Sequence, residues 1–155
     1  MTKGEEGAAR AAFAHAEQQL QQALQNPVTS TDALGHLGLV QAGLGRKQEA
    51  LAAGRKAVDQ LALSRDIMVG AFTLERLARV EAQVGETGAA IGHLRKLLAA
   101  PAGAVIAVPI LHIDPAWDPL RKDTGFQALL QDDGAAKPTV IPATPAASAG
   151  PAATR

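Results

Sequence analysis

The chain has 155 residues, and its 15 basic and 15 acidic side chains leave no net charge at neutral pH. This balance excludes an overall field that would attract nucleic acid or an anionic membrane, and it favours self-association. Because the chain has no cysteine, disulfides, a thiolate nucleophile and thiolate zinc sites are also excluded. Abundant alanine and leucine with only 3% aromatic residues predict an all-α chain.

The first predicted elements are a flexible terminus over residues 1–7 and an amphipathic helix over residues 8–25. The terminus lacks the apolar core of a secretory signal, so we expect a cytoplasmic protein. Asn26-Pro27 marks the end of the helix. Its apolar stripe consists of Phe13, Ala16, Leu20, Ala23 and Leu24. The helix has the position of the second helix of a hairpin whose first helix is missing, so we expect an open apolar edge there.

Two helical hairpins are predicted next, over residues 31–61 and 65–100, because each range holds two apolar helical faces separated by a glycine. The glycines are Gly45 and Gly85, and the offset between them is 40 residues. A repeat of this size predicts an array in which each unit buries its apolar face against its neighbour. Candidate helix N-caps are Thr29, Ser30, Thr31, Ser64, Asp66 and Thr87.

Residues 104–131 form the predicted capping segment. Asp114-Pro115 and Asp118-Pro119 each predict an N-cap followed by a proline at the first helical position, and therefore two single-turn helices. Asp123 is the predicted cap of a last helix. The inward-facing residues predicted to close the array are Trp117, Leu120, Phe126, Leu129 and Leu130.

Two further stretches have unusual composition. The uncharged stretch 97–111 is too short for a membrane span and is interrupted by prolines, so we expect a buried bend. The proline- and alanine-rich tail, residues 132–155, is predicted to be disordered.

The repeat resembles the tetratricopeptide repeat at a small set of positions. The residues that match its pattern are Leu37, Gly38, Ala50 and Ala57 in the first hairpin, and Leu77, Ala90 and Pro101 in the second. The departures are Gln41, Glu81, Gly54 and Leu94 at aromatic positions and Ala78 at a glycine position. The period is about six residues longer than the usual one of about 34. The resemblance implies an α-solenoid of antiparallel hairpins that acts as a protein-binding scaffold.

The capping segment extends this resemblance. Its sequence IDPAWDPLRKDTGFQALL, placed after a repeat, is similar to the C-terminal end of large bacterial tetratricopeptide-repeat proteins. In many of those, the repeats follow a protein kinase, a nucleotide cyclase or a winged-helix DNA-binding domain. None of these modules is present in the sequence, so their activities are not carried over.

No catalytic, cofactor or metal site is predicted. The four histidines, His15, His36, His93 and His112, lack metal-ligand spacing. Lys47, Arg55 and Lys56 in the basic segment 46–65 are candidates for contact with phosphate or an acidic peptide, although a solvated face is the simpler interpretation.

If the repeat geometry holds, the first helix of each hairpin lines a groove. The groove residues that we predict to bind a partner are Asp32, Leu39, Phe72, Glu75, Arg79 and Gln83. We therefore expect a non-enzymatic module that binds a protein or peptide through this groove or through the open N-terminal edge. The alternative is a self-associating remnant that forms the closing end of a larger signalling protein. No nucleic-acid or membrane partner is expected.

Overall fold

The computed structural model describes residues 3–26, 29–60, 67–100 and 106–131, with only the backbone of Lys3, Ile67 and Met68. These parts contain seven α-helices, one 3-10 helix and no strand, which confirms the all-helical fold. The helices are α1 (Lys3–Ala23), α2 (Ser30–Gly43), α3 (Lys47–Gln60), α4 (Ile67–Gln83), α5 (Thr87–Ala99), α6 (Val108–Ile113), the 3-10 helix (Pro115–Leu120) and α7 (Thr124–Gln131).

The helices pack in chain order. We call α2 and α3 hairpin 1, α4 and α5 hairpin 2, and residues 108–131 the cap. Helix α1 packs on α2, both helices of hairpin 1 pack on α4, and the cap contacts both helices of hairpin 2. Three predicted features lie outside the described residues: the helix N-caps Ser64 and Asp66, part of the bend predicted over residues 97–111, and the disordered tail predicted over residues 132–155.

The two hairpin turns have the same hydrogen bonds. Gly45 and Gly85 have φ angles of 77° and 82°, a conformation that disfavours a side chain. After each glycine, a backbone N–H closes the helix end: Arg46 donates to Gln41 at 2.9 Å and Glu86 donates to Glu81 at 2.8 Å. The 40-residue repeat found in the sequence is therefore also a repeat of backbone geometry.

Helix α1 begins at Lys3 and ends at Ala23, whereas the sequence pattern predicts a helix over residues 8–25. Glu5 and Glu6 lie in its first turn, where negative charge stabilises a helix N-terminus. Phe13 packs on α2 because Gly43 has no side chain: a Cβ there would lie 2.6 Å from the Phe13 ring. Phe13 nevertheless remains 36% exposed, so α1 covers hairpin 1 but keeps an apolar edge of its own.

The predictions that Thr29 and Thr87 are helix N-caps through their side chains are wrong. Thr29 precedes α2 but makes no side-chain cap bond, because its backbone is in the α region and not in the extended conformation that capping requires. Its hydroxyl instead donates to the Ala23 carbonyl at 2.9 Å, which links the end of α1 to the start of α2. Thr87 is the first residue inside α5, and Glu86 occupies the cap position.

The cap forms largely as predicted. The Asp114 carboxylate accepts from the Ala116 N–H at 2.9 Å, and Asp123 accepts from Gly125 at 2.7 Å. The prediction of two single-turn helices is wrong, because Pro119 lies inside one continuous 3-10 helix. The Asp118 carboxylate accepts from the Arg121 guanidinium at 2.6 Å and does not start a new helix.

The hydrophobic core is largest where hairpin 2 meets the cap. Trp117, Leu120 and Phe126 are fully buried, so the prediction that they face inward is confirmed. They pack with Leu94 and with other residues of α4 and α5 in one cluster. A smaller cluster around Ala50, Leu51 and Val80 joins hairpin 1 to α4. Among the described helices, none has the length and apolar character needed to cross a membrane.

Candidate partner-binding face

The six predicted groove residues lie on α2 and α4. Asp32 and Leu39 are two turns apart on α2, and the other four lie on one face of α4. An ion pair connects the two helices, with Asp32 Oδ1 2.7 Å from Arg76 Nη1. Gly35 allows this close approach, because a Cβ there would lie 3.0 Å from Arg76 Cδ. We call the surface formed by the six residues and Arg76 the α2–α4 face.

Arg79 connects the α2–α4 face to the cap. Its guanidinium donates to Glu75 one turn earlier and to Asp114 Oδ2 at 2.7 Å. The guanidinium carbon also lies 5.2 Å from the centre of the Trp117 ring, a distance suited to a cation–π contact. Glu75 and Arg79 therefore hold the cap against α4 with charges that are already paired.

Burial and ion pairing act in opposite directions on the pKa values of Arg79 and Asp114. Burial works to lower the pKa of Arg79, but the Glu75 and Asp114 carboxylates outweigh it and raise that pKa. Burial likewise works to raise the pKa of Asp114, but the Ala116 N–H and Arg79 hold that pKa below its ordinary value. Both groups are thus charged at neutral pH, which makes the network a fixed ionic link.

The apolar part of the α2–α4 face is exposed. Phe72 is 45% exposed, and Val69, one turn earlier on α4, is 46% exposed. Leu39 is half-buried against the smaller core cluster, while Gln83 is exposed near the end of α4. The face therefore combines a fixed network of ion pairs with an accessible aromatic side chain, as protein-binding surfaces commonly do.

Two residues of this face, Arg76 and Asp114, were not predicted from the sequence. Arg76 lies at helical spacing from Phe72, Arg79 and Gln83, so the same periodicity that selected those three also identifies it. Asp114 was predicted correctly as an N-cap, but its pairing with Arg79 joins residues 35 positions apart. No local signal in the sequence reports a contact of that separation.

A second row of ion pairs runs along the hairpin turns. Glu17 of α1 pairs with Arg46 at 2.8 Å, and Lys47 pairs with Glu86 of the next turn at 2.6 Å. The hydrogen bond from Lys47 is the main cause that lowers the pKa of Glu86. Lys47, a candidate for phosphate contact in the sequence analysis, is thus engaged within the chain.

The histidines and the acidic residues beside them do not form a shared site in the described parts of the structure. His93 Nδ1 lies 2.7 Å from the buried Glu81 carboxylate, and His36 Nδ1 lies 3.0 Å from the Asp32 carbonyl oxygen. Within the described ranges, no three histidine or acidic residues are arranged to hold a metal ion. Comparison with protein-family models, with curated proteins and with solved structures gives no match to this chain.

Proposed function

We propose that the chain is a non-enzymatic interaction module, a short tetratricopeptide-like array that binds a protein or peptide on its α2–α4 face. The observation that carries the proposal is the exposed Phe72 on a helix fixed by ion pairs on both sides. Large aromatic side chains on a rigid surface contribute strongly to binding, because they bury apolar area and lose little conformational freedom.

The ion pairs favour a peptide or a protein surface as the ligand. Arg76 and Arg79 lie about one and two turns after Phe72 on α4, and they pair with Asp32 of α2 and with Asp114 of the cap. A bound polypeptide would place an apolar side chain on Phe72 and hydrogen-bonding groups at the partly exposed ion pairs. Such a combination of apolar contacts and hydrogen bonds is typical of protein interfaces.

Selection from a displayed peptide library on the immobilised protein tests the proposal. Peptides selected on the wild type should bind Phe72→Glu at least about tenfold more weakly, because the charge would be buried against an apolar group. Ala52→Glu is the matched control, since Ala52 is exposed on α3, outside this face. Equal binding to all three proteins, or equal losses in both variants, would contradict the proposal.

Self-association through α1 is the second candidate function, as the closing end of a larger signalling protein. It is favoured by Phe13, which stays 36% exposed, and by the half-buried Leu20 and Leu24 on the same stripe. Light scattering over a wide concentration range tests this candidate. A monomer at every concentration would remove it, whereas an oligomer that Phe13→Ser dissociates would support it.

A further inference from the structure

The second helices of the two hairpins carry the same pair of basic residues at equivalent positions. Arg55-Lys56 lies on α3 and Arg95-Lys96 lies on α5, an offset of 40 residues that equals the hairpin repeat. All four side chains are exposed. We call these four residues the basic ridge, because an extended ligand that crosses α3 and α5 would meet the same two charges twice.

The cations of the basic ridge have no ion-pair partner in the described parts of the chain. The other arginines and lysines on the hairpins and in their turns are paired: Arg46, Lys47, Arg76 and Arg79 each contact a carboxylate. Apart from the ridge, the described side chains leave only Arg10 and Lys122 as unpaired arginines or lysines. Four of the six unpaired arginines and lysines among the described side chains therefore belong to the ridge.

The acidic residues near the ridge do not neutralise it. Glu49 pairs with Arg46 at 3.6 Å, and Glu86 pairs with Lys47. Helix α5 contains no acidic residue. Two described carboxylates remain close to the ridge. Asp59 lies one turn after Arg55 on α3 and is exposed, and Glu86, although paired with Lys47, also interacts electrostatically with Arg55. Four cations against these two carboxylates leave the ridge with an excess of positive charge.

We propose that the basic ridge binds an acidic segment of a partner polypeptide. Helices α3 and α5 both pack against α4, so the two pairs of cations lie on the second helices of neighbouring hairpins. An extended segment with acidic residues at regular intervals could contact both pairs. The ridge lies on the second helices and the α2–α4 face on the first, so this site is independent of the proposed function and is tested separately.

An acidic polypeptide fits the ridge better than nucleic acid or a membrane. Duplex DNA carries a negative charge about every 1.7 Å along its axis, and proteins that bind it present a larger basic surface. Peripheral membrane helices place large apolar residues beside their cations. The exposed neighbours of the ridge on these helices include Ala52 and Ala99, which offer little apolar surface to a bilayer.

Fluorescence anisotropy with a labelled synthetic peptide tests the proposal. The probe carries glutamate at every third position and serine between, and a second probe replaces each glutamate by glutamine. We expect the glutamate probe alone to bind, and more weakly as salt is raised. The variants R55Q/K56Q and R95Q/K96Q should each weaken binding by about 2- to 30-fold, the range expected for the loss of two exposed ion pairs.

The control variant R10Q/K122Q removes the same charge from other exposed positions and should bind the glutamate probe as the wild type does. The proposal fails if this control loses as much affinity as the ridge variants, or if the glutamate probe does not bind at low salt. It also fails if duplex DNA or phosphatidylserine vesicles bind more tightly than the peptide and lose binding in the ridge variants. Unchanged thermal unfolding shows that the variants are folded.

Discussion

The two hairpins share their turns but differ in their interiors. In hairpin 1, a Cβ added at Gly38 would lie 3.0 Å from the Ala50 carbonyl oxygen and 3.3 Å from the Gly54 nitrogen. In hairpin 2, the residues equivalent to Gly38 and Gly54 are Ala78 and Leu94, and both are fully buried. Identical turn geometry thus permits either a close approach of two helices or a packed interior of larger side chains.

The two hairpins also differ in how their buried polar residues are paired. Gln41 and Glu81 are equivalent and both are buried. Glu81 pairs with His93, whereas hairpin 1 has Ala53 at that position and the Gln41 Oε1 atom has no partner. Unpaired buried groups cost stability, and the core shared by hairpin 2 and the cap also contains one, Trp117 Nε1. Hairpin 1 packs against α1 and α4, whereas hairpin 2 packs against α2, α3 and the cap.

Among the variants considered, the removal of Trp117 from the cap should cause the largest loss in the free energy of unfolding. Trp117→Ala deletes a fully buried side chain, and we expect a loss of about 3–5 kcal/mol in the free energy of unfolding. Hydrogen exchange should show a larger loss of amide protection in α5 than in α3, because units of an array are stabilised mainly by their neighbours. Urea unfolding measures the total loss.

Two further variants separate the loss of the buried ring from the effect of any substitution in the cap. Trp117→Phe keeps an aromatic ring beneath Arg79 and removes a ring nitrogen that has no hydrogen-bond partner, so its loss should be smaller. Ile113→Ala changes a side chain that is 76% exposed and should alter stability by no more than about 0.5 kcal/mol. Equal loss of protection in α3 and α5 would show that the hairpins unfold as one unit.

Making hairpin 1 resemble hairpin 2 at one position should have an intermediate effect. Gly38→Ala introduces the residue found at position 78, yet its methyl group would press on backbone atoms of α3, which cannot rotate away as a side chain can. We expect a loss of about 1–3 kcal/mol in urea unfolding, although the same change in a helix normally raises stability.

Gly92→Ala is the matched control, because a Cβ at that position of α5 meets no atom within 4 Å. It should raise stability by about 0.5–1 kcal/mol. If Gly38→Ala were also stabilising, the interior of hairpin 1 would have room for a side chain, and the contrast between the two hairpins would not hold.

Several features that the sequence predicted correctly depend on local chemistry. A positive φ angle selects glycine at residues 45 and 85, and an aspartate before a proline selects the N-cap at Asp114. These signals lie within a few residues of the structure that they specify. The burial of Trp117 and Phe126 is not local, since they pack with Leu94 of α5, and it was predicted from their apolar side chains and their place beyond the last hairpin.

The ion pairs between residues far apart in the sequence could not be predicted in the same way. Glu17 and Arg46 are 29 residues apart, and Arg79 and Asp114 are 35 apart. Which charges meet depends on how far one helix slides and rotates against another, and side-chain packing across several elements sets that placement. The helical period placed Arg79 beside Phe72 and Glu75 on α4, but it did not indicate that Asp114 of the cap would pair with its charge.

The smallest expected effect concerns the ion pair between Arg79 and Asp114. Hairpin 1 has no such pair, because the residue equivalent to Arg79 is Leu39. Asp114→Asn keeps an acceptor for the Ala116 N–H but removes the charge opposite Arg79, so we expect a loss of about 1 kcal/mol at pH 7. Because folding lowers the pKa of Asp114, the link stabilises the fold above about pH 4. That contribution is lost as the pH falls through the folded pKa.

The difference between wild type and Asp114→Asn in urea unfolding should therefore shrink as the pH is lowered from 5 towards 2. Asp118→Asn is the matched control, since it makes the same change in the next Asp-Pro pair, at a carboxylate that is 61% exposed beside Arg121. Its effect should stay below about 0.5 kcal/mol. A constant difference across this pH range would mean that Asp114 contributes as a helix cap and that its charge does not hold hairpin 2 to the cap.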